Sequence, residues 1–270
     1  MVVNMYRYFI SQYPTFGSYK KPKPYLVEAS PYFWWWYALT LNETYAHLCE
    51  LKESETLLTE SETDFPEAML QVYEDFGDVR HEGCRYRAFA KWWRERVSTG
   101  ETRGEYLFAE SPHVGKVKEL TSISEAEEYL ADDSFLLISI PLDRQRQHID
   151  KALDKILKKR LKAVKGRAAR DLIKCTARYC LSKPLTAGSL KKTFDVSSIK
   201  SGLGSVGRVE YNYEIFDKAG LKLNEKSEGF DEIKDEQATR RTKSVVVSRY
   251  VRSANSLIGS AGVGLFPSVV

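Results

Sequence analysis

At 270 residues, 43% hydrophobic and 29% charged, the chain is large enough for two modest domains or one large one, and its composition is that of a globular protein. It has no apolar run of about 18 residues, so no membrane-spanning helix is expected, and residues 1–25 lack the apolar stretch of a secretory leader. The net charge of +4 is uneven: residues 1–142 sum to −9, 143–170 to +8 and 171–270 to +5. An acidic front and a basic rear leave two uses for the cations, a nucleic acid or the acidic part itself.

The chain is expected to divide into an extended N-terminal arm (1–29), an acidic aromatic-rich domain (30–142), a basic amphipathic helix and linker (143–170) and a C-terminal helical domain (171–270). In the arm, "YKKPKPY" disfavours helix. Ser30 followed by Pro31 reads as an N-cap and first helical residue, and one helix is expected to about Leu51. Over that length the helical period puts Trp34 on a core face with Ala38, Leu41, Tyr45, Leu48 and Cys49, and Trp35 on its flank. Trp36 points the opposite way, to be covered by another element or offered to a partner.

Residues 63–76 read as a helix capped by Thr63 or Asp64. Residues 83–97 read as a helix whose stripe is Tyr86, Phe89, Ala90, Trp93 and Val97. Trp92 falls beside Arg85 and Arg96, which suits either a basic surface or base stacking. "EYLFAE" (105–110) is expected as a strand, and 122–130 as a helix capped by Ser124. "SFLLISIPL" (134–142) is expected as a buried strand. Asp143 is expected to cap an amphipathic basic helix to about Val164, with Ile149, Leu153, Ile156 and Leu157 on one face and its lysines largely off it.

In the rear, short helices are expected at 189–199 from Ser189 and at 209–220, the second closed by Gly220. A final helix is expected over 239–258, with Val247, Tyr250, Val251, Ala254, Leu257 and Ile258 buried. Its opposite face gathers Arg241, Ser248, Arg249 and Arg252, with Asn255 at the edge. Arg, Ser and Asn suit phosphates and base edges. The pair 209–220 and 239–258 has the order of a helix-turn-helix, although 18 residues separate Gly220 from Thr239.

Other chemistry is thinly represented. "GLGSVG" (202–207) matches a dinucleotide fingerprint but follows no apolar strand. His47 and Cys49 diverge on a helix, so no metal site is expected with His81 and Cys84. Cys49, Cys84, Cys175 and Cys180 form no CxxC pair and are expected as four reduced thiols in a cytoplasmic protein. No nucleophile stands beside a base. No catalytic residue, cofactor or metal is expected.

The blocks "SPYFWWWYALTLNETY", "FLLISIPLDRQRQHIDKALDKILKKR", "YCLSKPLTAGSLKKTFDV" and "VVVSRYVRSANSLIGSAGVGLFP" resemble blocks of a group of bacterial proteins, without assigned catalytic residues, that occur near prophages and other mobile elements. The resemblance implies that the last block is the second half of a helix-turn-helix-type region. The expectation is therefore a mainly α-helical α+β protein that binds double-stranded DNA in a regulatory role. Arg241, Ser248, Arg249, Arg252 and Asn255 would form the site, and Lys155, Lys158, Lys159 and Lys162 would add phosphate attraction. The alternative is a non-catalytic adaptor docking a protein partner, or a second copy, through Trp36 and Trp92. No membrane partner is expected.

Overall fold

The structure is a computed structural model that describes residues 9–54, 65–110, 119–130, 136–160, 175–183, 185–205, 211–223 and 236–268. Among these residues it is helical: α1 Pro24–Val27, α2 Pro31–Thr40, α3 Glu43–Glu53, α4 Glu67–Phe76, α5 Arg85–Arg94, α6 Arg103–Phe108, α7 Ile123–Leu130, α8 Arg146–Arg160, α9 Ala187–Ser205, α10 Asn212–Lys218 and α11 Glu236–Gly262. The expected short strands are not found among the described residues. Extended pairing there is confined to the isolated bridges Phe9–Ala109, Arg96–Thr102 and Leu181–Phe266.

The single helix expected from Ser30 to Leu51 is two helices. Its chain turns at Leu41 and Asn42, and the Asn42 side chain accepts from Tyr45 N at 3.0 Å to start α3. Ser30 precedes Pro31 as expected, but its hydroxyl donates to Gln12 O at 2.7 Å instead of capping. Trp34 and Trp36 both precede the break, so they still point to opposite sides of α2. Every residue of α2 from Pro31 to Leu39 is buried, so α2 is a central helix with no solvent face.

The three consecutive tryptophans serve three different neighbours. Trp34 stacks on Phe194 of α9 at 5.5 Å between ring centroids. Trp35 meets Phe108 of α6 at 5.5 Å and Phe266, beyond α11, at 5.4 Å. Trp36 packs on Phe89 of α5 at 5.4 Å and on His81 at 5.1 Å. Front and rear residues therefore share one core, and the front–rear boundary expected between 142 and 171 is not the one the contacts draw. Residues 1–111 and 172–270 form one compact unit, and 112–171 form another.

Residues 105–108 are helical, against the expected strand. Thr102 and Glu105 make a reciprocal capping box: Thr102 Oγ1 accepts from Glu105 N, and Glu105 Oε2 accepts from Thr102 N at 3.2 Å. Gly104 is required there, because a Cβ would lie 2.2 Å from the Trp93 ring. At α7 the cap is Ser122, whose hydroxyl accepts from Glu125 N at 3.2 Å, rather than Ser124.

The thiols are not all reduced. Cys175 and Cys180 are joined by a disulfide, with Cα atoms 6.0 Å apart, while Cys49 is buried and free and Cys84 exposed and free. The disulfide loop docks onto two buried carboxylates of the front. Thr176 N donates to Glu110 at 2.8 Å, and Arg178 Nε and Tyr179 Oη donate to Asp75 at 2.9 and 2.8 Å. Burying Asp75 and Glu110 is tolerable because each carboxylate is satisfied by these donors.

In the unit 112–171, α8 begins at Arg146, not at Asp143. The segment expected as a buried strand has no regular structure over its described residues 136–142. Leu136, Leu137, Ile140 and Leu142 are exposed, Leu142 at 93%. The linker 162–170, with Lys162, lies outside the described residues, as do Thr63 and Asp64.

Candidate nucleic-acid interface

The 27 residues of α11 bury different stretches in different places. Its first half puts Val247 against Val196 of α9 and Ile215 and Phe216 of α10. Its second half puts Leu257 and Ala261 into the tryptophan core. Asn42 Nδ2 donates to Ile258 O at 3.0 Å, and Gly262 leaves room for that amide, which a Cβ would meet at 2.6 Å. The helix is thus held from both ends, and its outward stripe is fixed in direction.

That stripe is Arg241, Val245, Arg249, Arg252, Asn255 and Gly259, all exposed. The spacing of three and four residues keeps them on one side. From Arg241 to Asn255 the stripe spans about 21 Å at 1.5 Å per residue.

Four other cations of this unit's rear have acidic partners among the described residues. Lys191 Nζ reaches Glu28 at 3.0 Å and Asp195 at 3.2 Å, and Lys243 Nζ reaches Asp217 at 2.6 Å. Arg240 pairs with Glu236 at 2.6 Å and lies over the Tyr213 ring at 5.1 Å. Arg178 is bound to Asp75 as above. Burial pulls the Lys191 ammonium down, but its bonds to Glu28 and Asp195 outweigh that and hold it above the usual lysine value. By contrast, Arg241, Arg249 and Arg252 meet no carboxylate among the described residues. Arg252 Nε donates to Ser248 O at 3.4 Å, within its own helix.

The other expected site residues fare differently. Ser248 is half-buried and turned toward α10, where its hydroxyl accepts from Asn212 Nδ2 at 3.1 Å. Lys155 and Lys159 are exposed on α8, in the other unit, and Lys158 pairs with Asp154 at 3.5 Å. Trp36 and Trp92 are not a docking pair. They are 1% and 6% exposed, and Trp92 Nε1 donates to Phe76 O at 2.8 Å. Both indoles are covered by their own chain, which removes them as a surface for a partner.

A groove of about 340 Å³ between α9 and α11, lined by Leu190, Thr193, Val246, Arg249 and Tyr250 among others, runs beside the stripe. Sequence reasoning missed it because helix periodicity identifies faces but not which helix lies alongside. Of the glycines of "GLGSVG", Gly202 and Gly204 are helical within α9 rather than in a turn, and Gly207 lies outside the described residues. Among the described residues no three His, Cys, Asp or Glu side chains stand together as a metal site. No family model, no curated protein and no solved structure matches the chain.

Proposed function

We propose that the chain binds double-stranded DNA through the outward stripe of α11 and does so in a regulatory role, in the mobile-element setting that its sequence blocks resemble. Arg241, Arg249 and Arg252 neutralise phosphates, and Asn255 reaches a neighbouring phosphate or base edge. One observation carries the reading: these three guanidinium groups are aligned, exposed and without a carboxylate among the described residues, while Lys191, Arg240 and Lys243 are each paired with an acid. A stripe of unmatched cations on a rigid helix is what a polyanion requires. The packing of α10 on α11 supports a helix-turn-helix-like arrangement, with α10 closing at Gly220, whose φ of 60° favours glycine.

The test is duplex binding across a salt series. Three neutralised phosphates imply a slope of log affinity on log salt of about −2.7, hence about 40-fold weaker binding at 200 mM than at 50 mM salt. Replacing Arg249 and Arg252 by Ala should flatten the slope by about 1.8 while leaving the thermal midpoint in place. Binding that ignores salt, or a double variant that binds like the parent, overturns the reading. Enrichment of one sequence from a random duplex pool would support the regulatory role; uniform recovery would refute it.

A further inference from the structure

The unit 112–171 presents a different surface. On α8 the aliphatic side chains Ile149, Leu153, Ile156 and Leu157 share one face, and Ile156 and Leu157 are each 38% exposed. The preceding segment adds exposed Leu136, Leu137, Ile140 and Leu142. Between segment and helix runs a trough of about 630 Å³, walled by aliphatic Ile140, Ile149, Leu153 and Ile156 and, over about half its lining, by polar groups such as Asp143 and His148. A continuous exposed aliphatic surface of this kind marks an interaction site.

Charge selects the occupant. Helix α8 carries six Lys and Arg against two acids. The two acids are engaged, Asp150 by Arg146 at 3.7 Å and Asp154 by Lys158 at 3.5 Å. Lys151, Lys155 and Lys159 are exposed and without a carboxylate among the described residues. With the apolar face set downward, Lys159 falls on one flank and Lys151, Lys155 and Lys158 on the back. A second copy would cover the aliphatic face but supply no anion to the lysines, since its own α8 is equally basic. Nucleic acid would leave the aliphatic face wet. An anionic bilayer satisfies both faces, since acyl chains take the leucines and lysine stems reach up to the headgroups.

We propose that α8 and residues 136–145 form an interfacial element that lies on anionic lipid membranes. The mode differs from spanning, and none of the described helices is long and apolar enough to span. It is independent of the α11 stripe, so the two sites fail separately.

The experiment is co-sedimentation of the full chain with vesicles of phosphatidylcholine containing phosphatidylglycerol, against vesicles of phosphatidylcholine alone. Binding to the anionic vesicles is expected to be at least about tenfold stronger, and weaker in high salt. Changing Leu153 and Leu157 together to Gln keeps the charge and is expected to abolish vesicle binding without changing duplex binding. Changing Arg249 and Arg252 to Ala is expected to do the reverse. Should the Gln pair weaken the helix itself, Leu157→Trp supplies an independent measure: tighter binding, with the added fluorescence quenched by brominated lipid. Absence of vesicle binding, equal binding to both vesicle types, or an unquenched added indole overturns the proposal. So does a concentration-dependent dimer dissolved by the Gln pair, which would give the face to a second copy.

Discussion

Replacing Trp36 by Ala separates a core indole from a surface one. Burying an indole removes about 200–250 Å² from water, worth about 5–6 kcal/mol at 25 cal/mol per Å². Alanine keeps a minority of that, and a compact unfolded chain trims the total. Trp36 is 1% exposed and its ring lies within 6.4 Å of the rings of Phe33, Phe89, Trp92 and His81, so little can collapse into the space. The expected loss is about 3–5 kcal/mol, a large part of a stability of about 5–15 kcal/mol. A finer comparison uses the hydrogen bonds. Trp34 Nε1 donates to Glu28 O at 2.9 Å and Trp92 Nε1 to Phe76 O at 2.8 Å, whereas Trp36 Nε1 has no partner among the described residues. Trp36→Phe should therefore cost about 1 kcal/mol less than Trp34→Phe or Trp92→Phe. Urea unfolding with an unchanged slope reads all four variants. A Trp36→Ala loss under about 0.5 kcal/mol, the size of an ordinary surface change, would show the indole to be at the surface and refute the reasoning.

Gly104→Ala places a methyl 2.2 Å from the Trp93 ring and should cost about 1–3 kcal/mol or more. Gly259→Ala in exposed α11 meets nothing within 4 Å and should stabilise by up to about 1 kcal/mol; thermal midpoints moving in the same direction would refute this pair. Iodoacetamide on the native, unreduced protein should label Cys84 alone, because Cys175 and Cys180 are bonded and burial pushes the Cys49 thiol up to about 12; mass spectrometry showing three or four labels would contradict the disulfide. Burial raises the Asp78 carboxyl, but its bonds from Arg80 outweigh that and hold it below the usual aspartate value. A carboxylate depressed in the folded state adds stability above its unfolded pKa, about 3.9, and that stability fades as pH falls through the lower folded value. Asp78→Asn should therefore lose less stability than the parent between pH 5 and pH 3, and parallel acid limbs in urea titrations would argue otherwise.

Local signals were readable wherever one short stretch sufficed. The final helix, its buried Val247, Ala254 and Leu257 and its outward arginines follow from spacing alone, since 3.6 residues per turn assigns faces without reference to neighbours. The capping box of Thr102 and Glu105 was equally present in the residues, and it outweighs the apolar look of "EYLFAE" because it satisfies two helix-end donors at once. The aliphatic run 134–142 misled in the opposite direction. Hydrophobic residues demand cover but do not state which surface supplies it, and over residues 136–142 the cover is partial, with Leu142 left 93% exposed.

What the chain determined by itself is therefore periodic and local: helices, stripes, caps and the uneven placement of charge. Tertiary structure alone decided that α2 is surrounded, that Trp34, Trp35 and Trp36 each have a separate partner, and that residues 172–270 complete the core begun by residues 1–111. It also decided which cations are spent on Asp75 and Glu28 and which remain on α11. The physical reason is range. Backbone hydrogen bonding and helical period act over a few residues, whereas burial and ion pairing depend on groups that are distant along the chain and adjacent only after folding.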